Sequence, residues 1–331
     1  MRDYKALVVD KKDDETEMSI QTLTMDDDLA KDEVLIDVHY SSINYKDGMV
    51  AALGQIATTY PITPGIDLAG RVVKSENDHF KVGDDVLATS YDIGTAINGG
   101  YAALAKVPAD YVHHLPVGLT LKESMILGTA GLTAAIAITK LEAVGLHKEG
   151  GPILVAGASG GSGSLSVNML SKLGFEVVAS SGSKENTDYL KSIGANDVID
   201  RSEVENNHDK PVNKPLYQAA IDPVGGKTTE YIIKTLKPEG ALATFGLVGG
   251  VEVHTSVLPF IGRGIHWLGV DSVYYPKEKR IAAWKRLGED LKPDILDSQA
   301  VTEVSLNELP QTLHDIIDGK TKGRTIVNLK L

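Results

Sequence analysis

A glycine-rich turn in the middle of the chain restricts the possible folds more than any other feature of the sequence. Residues 157–163 read Gly-Ala-Ser-Gly-Gly-Ser-Gly and separate an apolar strand-like run, 153–156, from a helix-like segment. Such a turn lets the backbone approach a pyrophosphate, which the N–H groups at the start of the following helix can bind. In the Gly-x-Gly-x-x-Gly pattern, Ala158 replaces the first glycine, and Gly160 and Gly163 match the others. We therefore expect a dinucleotide site, although a purely structural turn could contain the same glycines.

The regions before and after residue 121 differ in the secondary structure that their sequences predict. Short strand-like runs separated by turn residues fill 5–117 and predict a β-rich, barrel-like domain. Later, β-branched runs alternate with helical segments as far as Gly246, which predicts a parallel sheet covered by helices. A final strand-like run, 324–329, is expected to return to the first domain. The predicted fold class is thus α/β. A substrate domain is expected at 1–121 and 299–331, and a cofactor domain at 122–298.

Composition and charge exclude several classes of function. The chain contains 33 Lys+Arg and 45 Asp+Glu, a formal net charge of −12, which disfavours nucleic acid or an anionic membrane as a partner. It contains no cysteine, so disulfides, thiolate zinc sites, iron–sulfur clusters and a cysteine nucleophile are excluded. The nine histidines show no metal-ligand spacing, and we expect no metal site.

The N-terminus has no apolar signal region. The longest apolar stretch, 125–138, is interrupted by glycine and threonine and is shorter than the ~20 residues needed to span a bilayer. We therefore expect a cytoplasmic protein that does not bind a membrane.

The segment after the second strand of the parallel sheet favours NADP over NAD. An NAD site usually has an acidic residue about 20 residues beyond the glycine turn, where it binds the ribose 2′-hydroxyl. Here Ser181, Gly182, Ser183 and Lys184 occupy that position, and hydroxyls with a lysine suit a 2′-phosphate. Arg201, after the third strand, is a second candidate for this phosphate, although an ordinary exposed arginine is equally compatible with its position.

Several motifs together resemble the zinc-free medium-chain dehydrogenases/reductases, within them the YhdH/YhfP subgroup of quinone oxidoreductases and NADPH-dependent acryloyl-CoA reductases. The matching segments occur in the family's order at residues 42–47, 64–70, 81–86, 128–134, 157–163, 222–226 and 322–324. Where the zinc-dependent branch has a ligating cysteine and a Gly-His-Glu, this chain has Asn44-Tyr45 and Gly65-Ile66-Asp67. The resemblance implies a GroES-like barrel domain, a Rossmann domain and no zinc.

The resemblance and the glycine turn together define the expected cofactor site. The residues expected to bind NADPH are Tyr45, Ser159, Gly160, Gly161, Ser162, Gly163, Ser181, Gly182, Ser183, Lys184, Arg201, Leu247, Ile261, Ser272 and Arg324. Besides Arg201, position alone leaves alternatives open at two of them. Leu247 could be a core leucine, and Arg324 could be an ordinary exposed arginine.

Tyr45 is the candidate catalytic residue. A phenol could donate a hydrogen bond to a substrate carbonyl, or a proton to the carbon that becomes carbanionic after hydride addition. Alternatively, Tyr45 only packs over the nicotinamide ring. Asn44 and Asp67 are expected to position loops around the cleft.

The expected function is metal-free hydride transfer from NADPH to an α,β-unsaturated acyl-CoA such as acryloyl-CoA, or to a quinone. A non-catalytic NADPH-binding sensor or structural protein is the alternative. Candidate partners for the phosphates of coenzyme A are Arg263, Lys277, Lys279 and Arg280. The resemblance also implies a homodimer.

Overall fold

The computed structural model describes residues 1–13, 15–205, 210–297 and 300–331. It contains two compact units, one formed by Met1–Thr129 with Leu296–Leu331 and the other by Ala130–Ile295. One unit is built mainly on antiparallel pairing and the other on a parallel sheet, so the predicted α/β fold class is confirmed. The predicted boundary between residues 298 and 299 lies outside the described residues, and the domain limits stay a prediction.

Elements are numbered along the chain. The strands are β1 (Arg2–Lys12), β2 (Glu15–Met25), β3 (Glu33–Ser42), β4 (Asp67–Ser75), β5 (Asp85–Thr89), β6 (Leu104–Pro108), β7 (Val112–His114), β8 (Ile153–Val155), β9 (Val177–Ser181), β10 (Asp197–Asp200), β11 (Tyr217–Asp222), β12 (Leu236–Thr244), β13 (His266–Gly269), β14 (Val301–Ser305) and β15 (Arg324–Asn328). The α-helices are α1 (Tyr45–Ala51), α2 (Leu121–Ala143), α3 (Gly161–Lys172), α4 (Thr187–Ser192), α5 (Arg201–Glu205), α6 (Gly226–Thr235), α7 (Leu258–Arg263), α8 (Lys277–Gly288) and α9 (Leu309–Ile317).

The first unit is centred on strand β3. Its main sheet has the order β14-β15-β3-β4-β5-β7, β6 also pairs with β3, and β1 and β2 form a separate hairpin. Val34, Leu35 and Ile36 of β3 are fully buried, as expected for a strand with neighbours on both sides. The terminal strand β15 pairs antiparallel with β3, with Ile326 opposite Ser42, as the sequence predicted.

The second unit contains a six-stranded sheet in the order β10-β9-β8-β11-β12-β13. All of its pairings are parallel. Numbered from β8, this order is 3-2-1-4-5-6, the doubly wound order of dinucleotide-binding folds. Ile153, Leu154 and Val155 of β8 are fully buried, because helices cover both faces of such a sheet. The predicted Rossmann architecture is therefore confirmed.

Helix α2 is interrupted at Gly128, whose backbone angles are φ 51° and ψ −154°. This conformation is almost restricted to glycine. By length and composition alone α2 is long and apolar enough to cross a membrane, but 83% of its apolar window is buried inside the protein. The interruption leaves backbone groups beside Gly128 without partners in the helix, and these groups bind two charged side chains described below.

Replacement of Gly128 by alanine is expected to destabilise the protein by roughly 2–4 kcal/mol, from backbone strain and from overpacking. A β-carbon at this position would lie 2.5 Å from Asp67 Oδ2 and 2.7 Å from Ser42 Oγ. The free energy of unfolding is measured by urea denaturation. The matched control is Gly83→Ala, because Gly83 also has a positive φ but open space around it. Equal losses in the two variants would show that the contacts near Gly128 do not matter.

Candidate active site

The carboxylate of Asp67 lies at the centre of a buried polar cluster in the first unit. Asp67 begins β4 and is fully buried. Its Oδ2 accepts hydrogen bonds from Ser42 Oγ (2.5 Å), Asn44 Nδ2 (2.8 Å) and the backbone N–H of Thr129 (2.9 Å). Its Oδ1 accepts one from Thr129 Oγ1 at 2.5 Å. Four donors thus surround one carboxylate and satisfy its acceptor positions.

Arg324 is the cation of this cluster. It begins β15 and is buried. Its Nε donates to the carbonyl of Ile126 at 2.6 Å, and its Nη1 donates to the carbonyl of Ile43 at 3.2 Å. Desolvation lowers the pKa of Arg324, while the charges of Asp67 and Asp47 act in the opposite direction. Within the described part of the chain, Nη2 of this arginine has no hydrogen-bond partner.

The interruption at Gly128 therefore serves both charges. Ile126 precedes it and offers a carbonyl to Arg324, while Thr129 follows it and offers an N–H to Asp67. These groups lie at the negative end of one helical segment and at the positive end of the next, so each end has the polarity that suits its charged partner.

A second buried carboxylate, Asp47, holds the start of helix α1. Its Oδ2 accepts from the backbone N–H of Asn44 at 2.9 Å, and its Oδ1 accepts from the N–H of Ile66 at 2.8 Å. Burial, followed by the nearby charge of Asp67, raises the pKa of Asp47 to about 7. Tyr45 is the first residue of the same helix and is 39% exposed. The cluster thus fixes the backbone from which the candidate catalytic phenol projects.

The polar cluster extends to an unusual backbone conformation at Ser90. This residue has a φ of 63°, and its hydroxyl lies 2.7 Å from Thr129 Oγ1. Since Thr129 donates to Asp67, a continuous series of hydroxyl groups leads to the carboxylate. Neither Thr129 nor Ser90 was among the site residues predicted from the sequence. The Gly128-Thr129 pair inside an apolar helix was the available signal for the first of them.

In the second unit, the glycine turn lies between β8 and α3, as predicted. Gly157 has a φ of 52°, and a β-carbon on Gly163 would collide with the Gly157 carbonyl, so the turn and the helix pack closely. Gly160 precedes the first helical residue, Gly161. The first N–H groups of such a helix lack partners within it and can bind a phosphate.

The predicted 2′-phosphate residues lie together beside this turn. Ser181, the last residue of β9, pairs in register with Asp200, the last residue of β10. Arg201 follows directly, and its guanidinium lies against Gly182, where a β-carbon would be 3.2 Å from Arg201 Cζ. A cavity of about 200 Å³ is lined by Ser159, Ser181, Gly182 and Arg201 among others. Arg201 Nε also forms an ion pair with Glu205 Oε1 at 3.2 Å.

The remaining predicted cofactor residues are distributed over both units. Lys184 begins a short 3₁₀ turn that Ser183 caps by accepting a hydrogen bond from the Glu185 N–H. Ser162 lies in the first turn of α3. Leu247 is 56% exposed and is therefore not a core leucine, and Ile261 is 76% exposed. Tyr45 and Arg324 belong to the first unit, and Arg324 is buried rather than exposed. The cofactor contacts of all these residues stay predictions.

The substitution Asp47→Asn tests whether the folded protein raises the pKa of Asp47. Since the pKa of Asp47 rises from 3.8 unfolded to about 7 folded, the folded state holds an extra proton between these values. The contribution of Asp47 to the free energy of unfolding is therefore largest below about pH 4. It falls as the pH rises to about 7, by at most about 1.4 kcal/mol per pH unit.

The difference in unfolding free energy between wild type and Asp47→Asn should consequently decrease from pH 4 to pH 7. Urea denaturation at several pH values measures it, and the exposed Asp188→Asn is the control. A difference that does not vary with pH would contradict the raised pKa.

Two family models match the chain. The model described as the alcohol dehydrogenase GroES-like domain matches residues 30–117, and the model described as zinc-binding dehydrogenase matches residues 161–290.

The residues of the polar cluster around Asp67 do not fit a zinc ion. The oxygens of Asp67 already accept four hydrogen bonds, and a buried arginine is part of the same cluster. No group of three or more side chains suited to hold a metal occurs in the part of the chain that the structure describes.

Relatives match almost the whole chain. YhfP of Bacillus subtilis, whose name assigns it provisionally to the quinone oxidoreductases, is 46% identical over 98% of this chain and 99% of its own. The acrylyl-CoA reductase AcuI of Ruegeria pomeroyi is 38% identical over 98% of this chain and 99% of its own.

Solved structures of proteins from the same group also match almost the whole chain. The crystal structure of YhfP with NAD bound has a TM-score of 0.96 and 46% identity, covering 99% of this chain and 100% of that one. The YhdH oxidoreductase of Salmonella enterica in complex with NADP has a TM-score of 0.94 and 40% identity, covering 98% and 99%. The resemblance found in the sequence is therefore confirmed, and the chain belongs to the medium-chain dehydrogenase/reductase superfamily, in the group that contains YhfP and YhdH.

Proposed function

We propose that the chain is an NADPH-dependent oxidoreductase that transfers hydride to an activated small-molecule acceptor without a metal. The observation that supports this most strongly is the cavity at the ends of β8, β9 and β10, where the glycine turn, Ser181 and Arg201 meet. This is the crevice at the carboxyl ends of parallel strands, where doubly wound sheets bind dinucleotides. The NADP complex of YhdH supports the same cofactor.

The chemistry at the end of β9 favours the phosphorylated cofactor. Ser181 and Ser183 offer hydroxyls rather than a carboxylate, and Arg201, whose guanidinium lies against Gly182, supplies a cation beside them. A carboxylate there would repel a 2′-phosphate, whereas a guanidinium binds one through charge-assisted hydrogen bonds. Because the relative YhfP was crystallised with NAD, the preference must be measured directly.

Two acceptor classes follow from the relatives' names, an acrylyl-CoA thioester and a quinone. In both, hydride addition places negative charge on a carbonyl oxygen. NADPH, when bound, supplies the hydride. In the thioester, the hydride adds to the β-carbon, the double-bond electrons move onto the carbonyl oxygen, and a proton is then added at the α-carbon.

The exposed phenol of Tyr45 is our candidate to stabilise that oxygen by a hydrogen bond or to supply the proton. Asn44 and Asp47 fix its backbone. Thr129 lies on the same polar cluster, is partly exposed, and donates its hydroxyl hydrogen to Asp67. A proton lost from the phenol could be replaced from solvent, so the cycle needs no further reactant.

We also propose that the protein acts in the cytoplasm as a homodimer. Strand β13 is a terminal strand of the parallel sheet among the described elements, and its Trp267 is partly exposed. An open edge of this kind can pair with the same edge of a second copy.

Anaerobic NADPH oxidation with acryloyl-CoA and with simple quinones, at matched concentrations, tests the function. We expect turnover with at least one class. A much larger kcat/KM for the thioester would identify an enoyl-thioester reductase, and a larger value for quinones would identify a quinone reductase. Cofactor binding without turnover on either class would contradict the proposal and support the non-catalytic sensor.

Replacement of Arg201 by alanine is expected to weaken NADPH binding by about 1–3 kcal/mol, because one charged hydrogen bond is lost, and to leave NADH binding almost unchanged. Fluorescence titration of both cofactors measures the effect. Lys191→Ala, an exposed cation on α4 that does not line the cavity, is the control. Equal weakening of both cofactors would place the 2′-phosphate away from Arg201.

A further inference from the structure

A carboxylate also lines the cavity at the ends of β8, β9 and β10. Among the described residues of its wall, Arg201 is the one basic residue and Glu205 is the one acidic residue. Arg201 Nε and Glu205 Oε1 form an ion pair at 3.2 Å. NAD sites usually have an acidic residue at the end of the second strand, which here is β9. In this chain helix α5 supplies an acid to the same cavity instead.

Helix stability does not account for the ion pair between Arg201 and Glu205. Helix α5 has five residues, with Arg201 at its start and Glu205 at its end. The helix dipole favours an acid at the start and a base at the end, and a pair four residues apart is stronger when the acid comes first. Both charges therefore lie at the less favourable end of the helix.

The ion pair is also easily exchanged for another partner. The side chains of Arg201 and Glu205 are 60% and 41% exposed, and exposed ion pairs contribute little to stability. Only the Nε of the guanidinium is used by Glu205, so the two Nη groups of Arg201 can bind an anion that enters the cavity. The arginine is thus held loosely beside the place where the 2′-phosphate is expected.

A neighbouring acid, Asp200, is engaged elsewhere. Its Oδ1 accepts a hydrogen bond from the backbone N–H of Ser202 at 2.9 Å, and it does not line the cavity. Glu205 forms no other ion pair among the described residues. Of the two acids that flank Arg201, Glu205 is therefore the one that can influence a ligand in the cavity.

The two nicotinamide cofactors place different charges beside this pair. A phosphate monoester such as the 2′-phosphate of NADPH carries nearly two negative charges near pH 7, whereas NADH has a neutral hydroxyl at the same position. The phosphate must take the guanidinium from Glu205 or share it, and in both cases the carboxylate repels the phosphate. The hydroxyl of NADH meets no such repulsion.

We propose that Glu205 is a specificity-determining residue that competes with the 2′-phosphate of NADPH for Arg201 and thereby narrows the preference for NADPH over NADH. This role rests on the proposed function, because it concerns the cofactor site assigned there. It adds a residue that opposes the phosphorylated cofactor. The balance between one cation and one anion then sets how far the site distinguishes the two dinucleotides.

Calorimetric titration with two nucleotide fragments tests this role without turnover. Adenosine 2′,5′-bisphosphate carries the 2′-phosphate, and adenosine 5′-monophosphate lacks it. In Glu205→Gln the affinity for the bisphosphate is expected to rise about tenfold, because one nearby like charge is removed, while that for the monophosphate changes less than about twofold. A variant that fails to fold cannot produce such a gain.

Glu203→Gln is the matched control, because Glu203 lies on the same helix, is exposed and does not line the cavity. Glu205→Ala should give the same gain as Glu205→Gln. A gain with glutamine alone would show a new hydrogen bond from the amide and would overturn the proposal. An equal gain for both nucleotides, or the same gain in Glu203→Gln, would also overturn it.

Salt dependence distinguishes charge from shape. At about 1 M salt, where exposed charges are screened within a few ångströms, the bisphosphate affinities of Glu205→Gln and wild type should become nearly equal. A tenfold difference that persists at this salt concentration would contradict an electrostatic role.

Turnover assays separate this role from the proposed function. The expected changes in nucleotide binding would support the role of Glu205 even if no acceptor were reduced. Turnover of NADPH with an acceptor, together with unchanged bisphosphate binding in Glu205→Gln, would support the function and overturn the role of Glu205.

Discussion

The interruption of helix α2 at Gly128 gives two buried charges the backbone partners that they need. Arg324 binds the carbonyl before the interruption, and Asp67 binds the N–H after it. A buried charge without compensating contacts would cost several kcal/mol, so the first unit depends on this arrangement. It joins the starts of β4 and β15, the end of β3 and the helix that carries Tyr45. Only glycine allows it, because a side chain at residue 128 would occupy the space between the charges.

The two units place their polar groups differently, as their sheet architectures allow. The parallel sheet concentrates its strand ends along one edge, where the turn, hydroxyls and Arg201 form a cavity suited to an anionic group. The first unit instead buries two carboxylates and an arginine and leaves the phenol of Tyr45 partly exposed. Family membership, shown by relatives that match almost the whole chain, agrees with this division.

The sequence was most informative where the signal was local or followed from topology. The glycine turn, the alternation of strands and helices and the proximity of Ser181 to Arg201 could be predicted, because parallel strands end at one edge. The polar cluster could not. Thr129 lies 62 residues from Asp67, and Arg324 lies 198 residues from Ile126. Such contacts have no periodic signal, and the conformation of Gly128 is invisible in a run that otherwise favours helix.

The position of Arg324 in the chain has a consequence for biosynthesis. The second unit is continuous, from Ala130 to Ile295, whereas the first needs both Met1–Thr129 and Leu296–Leu331. Because domains generally fold as units while the ribosome extends the chain, the second unit can complete its sheet first. Until β15 emerges, Asp67 and Asp47 lack their cation and β3 has an open edge. The first unit can therefore complete its fold only after β15 has been synthesised.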